Sequence, residues 1–121
     1  MLNNKWFKII VSAVVAVGVI TFVGHNYVNY VEKKQTPVTI SSSNKKTLFF
    51  YRDDCSDCQS IFHQVYWKSA LKNNVVFINM NQQKNRKYIA KYNLTSVPTF
   101  INGDKQYSGT NLDKIHQVLG D

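Results

Sequence analysis

From Ile9 to Val31 the chain carries no formally charged residue, and Ile9–Val23 is apolar apart from Ser12 and Thr21. The 18 residues from Trp6 to Val23, as a helix rising 1.5 Å per residue, reach about 27 Å, close to the thickness of a bilayer's hydrocarbon core. Trp6 at one end and Tyr27 and Tyr30 at the other suit headgroup depth, and Lys5 and Lys8 can extend toward phosphates. A cleaved signal begins in the same way, but its cleavage site needs small residues three apart just past the apolar run, where this chain has bulky Phe22. No cysteine follows to take a lipid. The pattern favours an uncleaved, single-pass anchor over 6–25, behind a short tail of residues 1–5. Lysines flank the segment evenly, so the terminal amine and the short tail decide its orientation: N-terminus in the cytoplasm, remainder outside it.

With that segment in the bilayer, residues 26–44 read as a linker, polar at its end and interrupted by Pro37, with Val38–Ile40 apolar enough for a short edge strand. The 77 residues from Lys45 to Asp121 remain, enough for one domain. Fifteen Lys and Arg against seven Asp and Glu give the chain +8. The excess is spread along its length with no run of five like charges, which argues against nucleic-acid binding.

Thr47–Tyr51 is an apolar, aromatic run of buried-strand type. Asp53-Asp54 offers a helix cap, and Cys58, Ile61, Phe62 and Val65 then recur at helical spacing until Lys72-Asn73-Asn74. Val75–Ile78, apolar throughout, has the character of a central parallel strand. Tyr88, Ile89 and Tyr92 outline a second, shorter helix ended by Asn93. Pro98–Ile101 is a third strand, Asn102-Gly103 reads as a type I′ hairpin turn, and Lys105–Tyr107 returns antiparallel. Thr110 caps a last helix with Asp113 in its first turn and Leu112, Ile115 and Leu119 on one face, closed by Gly120. The expected order is β-α-β-α-β-β-α: an α/β fold with a mixed sheet.

Both cysteines of the chain, Cys55 and Cys58, lie three apart at the first strand-to-helix junction. A disulfide closing so small a ring restrains the unfolded chain by only about 2 kcal/mol and joins nothing distant. Chemistry explains the spacing better than stapling does. At a helix N-terminus, unpaired N–H groups stabilise a thiolate at Cys55, and Cys58 one turn on can attack a mixed disulfide formed there. Arg52 nearby favours that thiolate and Asp57 opposes it. A metal site is disfavoured: His63 is off the azimuth of a third ligand, and no fourth is evident.

Lys45–Asp121, through Cys55-Ser56-Asp57-Cys58 and Lys91-Tyr92-Asn93-Leu94-Thr95-Ser96-Val97-Pro98-Thr99, resembles a minimal thioredoxin-fold domain. The resemblance implies a cis peptide bond at Val97–Pro98 beside Cys55, with the backbone of Val97 pairing to substrate as an added strand. It implies a thiol-disulfide oxidoreductase whose only redox group is the Cys55–Cys58 disulfide, with no metal or further cofactor. Four positions depart from thioredoxins: Asp54 stands for the Trp before the first cysteine, Phe49 for a buried acid that serves the resolving thiol's proton, and Ser56-Asp57 for Gly-Pro. In layout the chain is similar to small membrane-tethered thioredoxin-like proteins of Gram-positive bacteria, including accessory proteins of bacteriocin export. The partners so implied are a cysteine-containing exported protein, a membrane or extracytoplasmic redox protein, and the bilayer, with the chain a monomer. The alternative is a docking or accessory module for an exported polypeptide, with cysteines that turn over poorly.

Overall fold

The computed structural model describes residues 4–120. Of the tail expected over 1–5, residues 1–3 lie outside the described residues. Two compact units are present, with the boundary between Val31 and Glu32.

The first unit is helical. Helix α1 spans Asn4–Lys33 and is long and apolar enough to cross a membrane. It outruns the apolar stretch at both ends, because Gly24 alone does not stop a helix and no proline occurs before Pro37. Trp6, Ile20 and Phe22 are fully presented to the surroundings, at 61%, 71% and 70% exposure. Side chains so apolar and so open fit a lipid environment.

The second unit carries strands β1 (Thr47–Tyr51), β2 (Val75–Asn79), β3 (Thr99–Asn102) and β4 (Lys105–Ser108). Helices α2 (Ser56–Ala70), α3 (Lys87–Lys91) and α4 (Leu112–Leu119) separate or follow them, with a 3-10 turn at Gln83–Arg86. The order β-α-β-α-β-β-α is the one expected. The sheet runs β2-β1-β3-β4, with β1 parallel to β2 and antiparallel to β3. Strand β2 is therefore at an edge, not central. Its apolar character reflects burial of its faces: Phe77 lies 5.3 Å from the ring of Phe62 on one side, and Ile78 joins the cluster of Leu48, Phe50 and Tyr88 on the other.

All five residues of β1 are buried. Phe49 packs ring to ring with Tyr51, Phe62, Phe77 and Phe100, the last at 4.4 Å. Helix α2 closes this face with Cys58, Ile61, Phe62 and Val65 all buried, as their spacing requires. The hairpin turn is displaced by one residue from the expectation. Asn102 pairs with Lys105, leaving Gly103 and Asp104 as the central residues. Only Gly103 has positive φ, at 62°, the pattern of a type II′ turn. Asn111, not Thr110, caps α4 by accepting from the N–H of Lys114, and Gly120 ends it at φ 89°.

Residues 32–40 do not form a free spacer. They are strapped to the domain by side chains at three-residue intervals. Asn79 Nδ2 donates to the carbonyls of Glu32 and Lys34, and Gln82 Nε2 to that of Gln35. Asn85 Nδ2 donates to the carbonyl of Thr36 while its Oδ1 accepts from the N–H of Val38 at 2.8 Å. Tyr88 donates to the carbonyl of Val38 and accepts from the N–H of Ile40. Val38–Ile40 thus forms no strand, since its backbone is satisfied by side chains and not by a sheet edge.

Asn85 is fully buried and also donates to the carbonyl of Asn79, so Asn85→Ala strips partners from three backbone groups. The loss expected is about 3 kcal/mol in urea unfolding, at roughly 1 kcal/mol per bond. The amide of Val38 should exchange faster with solvent deuterium; unchanged protection there would mean that the strap is held by other contacts.

Candidate active site

Strand β1 ends at Tyr51, and the next four residues make a tight turn in which the N–H of Cys55 donates to the carbonyl of Arg52 at 3.3 Å. Cys55 is extended (φ −92°, ψ 119°) and is itself the N-cap of α2, its Sγ accepting from the N–H of Cys58 at 3.2 Å. The expectation of an Asp53-Asp54 cap gives way here, because the turn places the first helical residue at Ser56. Both aspartates face the other way. Asn81 Nδ2 donates to Asp53 Oδ1 and Asp54 Oδ1 at 2.6 and 3.0 Å, and Arg52 Nε donates to Asn81 Oδ1 at 2.9 Å. The Asn81 hydrogen bond, aided by Arg52, holds Asp54 below the usual carboxylate range. Asn79 Nδ2 and Gln35 Nε2 bond Asp53 Oδ2, and Gln59 Nε2 donates to the carbonyl of Asp53. Every residue of the loop before Cys55 is thus tied down. The sequence reading missed Asn81 as the organiser of this loop, since one asparagine in a polar run carries no distinguishing signal.

The two sulfurs differ in access. Cys55 is half-buried and Cys58 is fully buried against the aromatic face, and both are free thiols in this structure. Burial pushes the Cys58 thiol far up, and a hydrogen bond with Cys55 pushes the same way. The backbone of Arg52 opposes that shift, while the negative charges of Cys55 and Asp57 add to it. Arg52 therefore reaches Cys58 through its main chain, its guanidinium being engaged by Asn81 and, at 3.5 Å, by Asp54. Asp57 sits exposed in the first turn of α2, where a negative charge suits the helix N-terminus.

Phe50 pairs with Thr99 in the antiparallel β1–β3 register. Continued in the same sense, that register puts Pro98 level with Tyr51 and Val97 level with Arg52, at the sheet end that carries Cys55. The Val97–Pro98 peptide bond is cis. Pro98 is buried, its carbonyl accepting from the N–H of Gly109 at 3.1 Å, and Thr99 Oγ1 donates to the carbonyl of Ser96. Val97 is half-buried, and among the described residues neither its N–H nor its carbonyl has a partner. A separate cavity of about 640 Å³ lies between Ile40, Lys45, Leu48, Lys91 and Gly103. It opens near the start of β1, away from both thiols. No cluster of His, Cys, Asp and Glu suited to a metal occurs among the described residues.

A dithiol at a helix N-terminus, one sulfur accessible and the other buried and protonated, can form and break disulfides. The thioredoxin family model matches residues 18–120, and the chain belongs to the thioredoxin family. Among solved structures it is similar to a thioredoxin of Fasciola hepatica, at 24% identity and TM-score 0.53 over 63% of this chain and 80% of that one. It is also similar to thioredoxin O1 of Arabidopsis thaliana in its oxidized state, at 21% identity and TM-score 0.50 over 61% and 77%.

The raised pKa of Cys58 fixes how its reactivity depends on pH, because only the thiolate is alkylated. In a Cys55→Ser variant, burial still disfavours ionisation. Iodoacetamide should then modify Cys58 slowly at neutral pH, with a rate still rising past about pH 9, above the ordinary thiol range. A plateau near about pH 8.5 would show a thiol in contact with water.

Proposed function

We propose that this chain is a membrane-tethered thiol-disulfide oxidoreductase that exchanges disulfides with exported proteins. The observation carrying this reading is the pairing of a half-exposed Cys55, with the Cys58 N–H aimed at its sulfur, and a buried, protonated Cys58 one turn behind it. In the reductive direction, the Cys55 thiolate attacks one sulfur of a substrate disulfide. A mixed disulfide forms, and the other substrate sulfur leaves with the electron pair and takes a proton from solvent. Cys58 then gives up its proton to solvent and attacks Cys55 Sγ. This closes the Cys55–Cys58 disulfide and releases the second substrate thiolate. Oxidation of a substrate is the same sequence run backwards. The unpaired backbone of Val97 at this sheet end supports pairing to an extended substrate segment across the site.

Helix α1 supports the tether. Lys5 and Lys8 on one side are balanced by Lys33 and Lys34 on the other, so the placement of the thiols outside the cytoplasm belongs to the proposal of exported substrates. A second reading, a docking module with poor turnover, draws support from Phe49, which packs aromatic rings where thioredoxins carry an acid. A double Cys55→Ser, Cys58→Ser variant that retains biological function would favour it.

Cys58→Ser should accumulate mixed disulfides that dithiothreitol releases, and Cys55→Ser almost none, on non-reducing gels of cells quenched in acid. Equal trapping by both variants would overturn the division into attacking and resolving thiols.

The chain should remain with membranes through high-salt and alkaline washes, as an inserted apolar helix does. A membrane-impermeant maleimide should label its reduced thiols in intact cells. Recovery in the soluble fraction with a new N-terminus near His25 would identify the segment as a cleaved signal. Labelling only after lysis would place the domain in the cytoplasm.

A further inference from the structure

Beside the Val97 end of the site is an open groove of about 560 Å³, whose floor and walls include Met80, Ile89, Leu94 and Val97, and whose rim holds Arg52 and Arg86. Ile89 was expected to face the core beside Tyr88, yet it is 45% exposed and turned to this groove. Leu94 and Val97 are half-buried beside it, and Met80 closes the bottom, nearly inaccessible to solvent. Both guanidinium groups are held by their Nε atoms, Arg52 on Asn81 Oδ1 at 2.9 Å and Arg86 on the carbonyl of Met80 at 3.2 Å. Both anchoring bonds use Nε, and both side chains line the groove. Among the described residues Arg86 meets no carboxylate, and Arg52 meets only Asp54, at 3.5 Å and largely exposed. On the other side of Cys55 along the chain, Asp57 lies exposed in the first turn of α2 with no arginine in the neighbouring turn.

On the proposed exchange reaction, we infer that the groove selects its substrate: an extended polypeptide whose reactive cysteine is flanked on one side by an apolar and an acidic residue. The apolar side chain fills the space between Ile89, Leu94 and Met80. The carboxylate meets Arg86 and Arg52, while the segment's backbone pairs with Val97. An acid on the opposite flank would face Asp57 and gain nothing. The preference is therefore one-sided, which separates recognition by the groove from the general attraction of a basic protein for acidic peptides.

The test uses the full chain in detergent and short peptide homodisulfides in which one residue beside a Cys-Leu or Leu-Cys pair is Glu, Gln or Lys, placed on either flank. Exchange rates are compared as the Glu-to-Gln ratio within each protein, so that any general loss of activity cancels. Wild type should favour Glu about fivefold on one flank only, the scale of an exposed charge pair, and the ratio should shrink as salt rises. Arg86→Gln should bring that ratio near one, Arg86→Lys should keep most of it, and Arg86→Glu should favour Lys peptides instead. No preference in wild type, an equal preference on both flanks, or a full preference surviving in Arg86→Gln would overturn the inference. Hydroxyethyl disulfide, which has neither charge nor side chains, separates the two levels. Wild type that exchanges with it but ignores peptide charge refutes only the groove, whereas wild type that fails to exchange with it refutes the oxidoreductase reading and the groove together.

Discussion

Strand β1 has a neighbour on each side over its whole length or most of it, β2 in parallel and β3 antiparallel, and both its faces are buried. Such a strand can end only where its backbone finds other partners, because an unpaired buried amide is costly. At Tyr51 the carbonyl still accepts from the N–H of Met80 at 2.6 Å. Beyond it the sheet can offer nothing to Arg52–Cys55, and side chains take over: Gln59 for the carbonyl of Asp53, Asn81 for the aspartates, and the Cys55 sulfur for the N–H of Cys58. The Cys55 thiol is thereby part of how the chain leaves the sheet. The same register on the β3 side brings Val97 and Pro98 to the same end, so one buried strand locates both halves of the site.

What could be read from the sequence is what repeats or sits next to itself in the chain. The run Thr47–Tyr51, the helical spacing of Cys58, Ile61, Phe62 and Val65, and the Cys-x-x-Cys pair each carry their signal within a few residues, and each is found as expected. Features set by contacts between distant segments were not legible. Whether β2 is central or at an edge depends on what lies beyond it, and Val75–Ile78 reads the same in either place. The cap of α2 moved from Asp54 to Cys55 because Asn81, 27 positions along the chain, claims the carboxylate. Ile89 follows the spacing of a buried face, but it stands about 100° around α3 from Tyr88, which takes the inward place. The strap has a faint signature, in that Asn79, Gln82, Asn85 and Tyr88 recur every three residues. That period is the repeat of a 3-10 helix, found among the described residues only over Gln83–Arg86, and nothing local in the sequence says that the row would face residues 32–40.

Strap and active-site loop share one network. Asn79 donates both to the carbonyls of Glu32 and Lys34 and to Asp53 Oδ2, and Gln35 reaches that same oxygen at 3.3 Å. Asp53 is two residues from Cys55. Hydrogen bonds so joined are lost together more readily than singly. The stretch that follows α1 is therefore structural support for the turn before Cys55, and shortening or replacing it would alter that turn as well as the length of the tether.

Phe49 decides how the buried thiol must be handled. With rings of Tyr51, Phe62, Phe77 and Phe100 all around it, the position has no room for a charged group and no partner for one. No carboxylate at that point of β1 can take the proton of Cys58. Part of what keeps Cys58 protonated, however, comes from Cys55 itself, through the hydrogen bond between the sulfurs and the charge of a Cys55 thiolate. Both vanish once the Cys55 sulfur is bonded to a substrate, since a disulfide sulfur is uncharged and a far poorer acceptor. Burial remains, but Cys58 is then easier to ionise than beside a Cys55 thiolate. In the exchange proposed for this chain, attack by Cys55 thus lowers the cost of ionising Cys58 at the step that needs it, with Phe49 offering no acceptor for the proton.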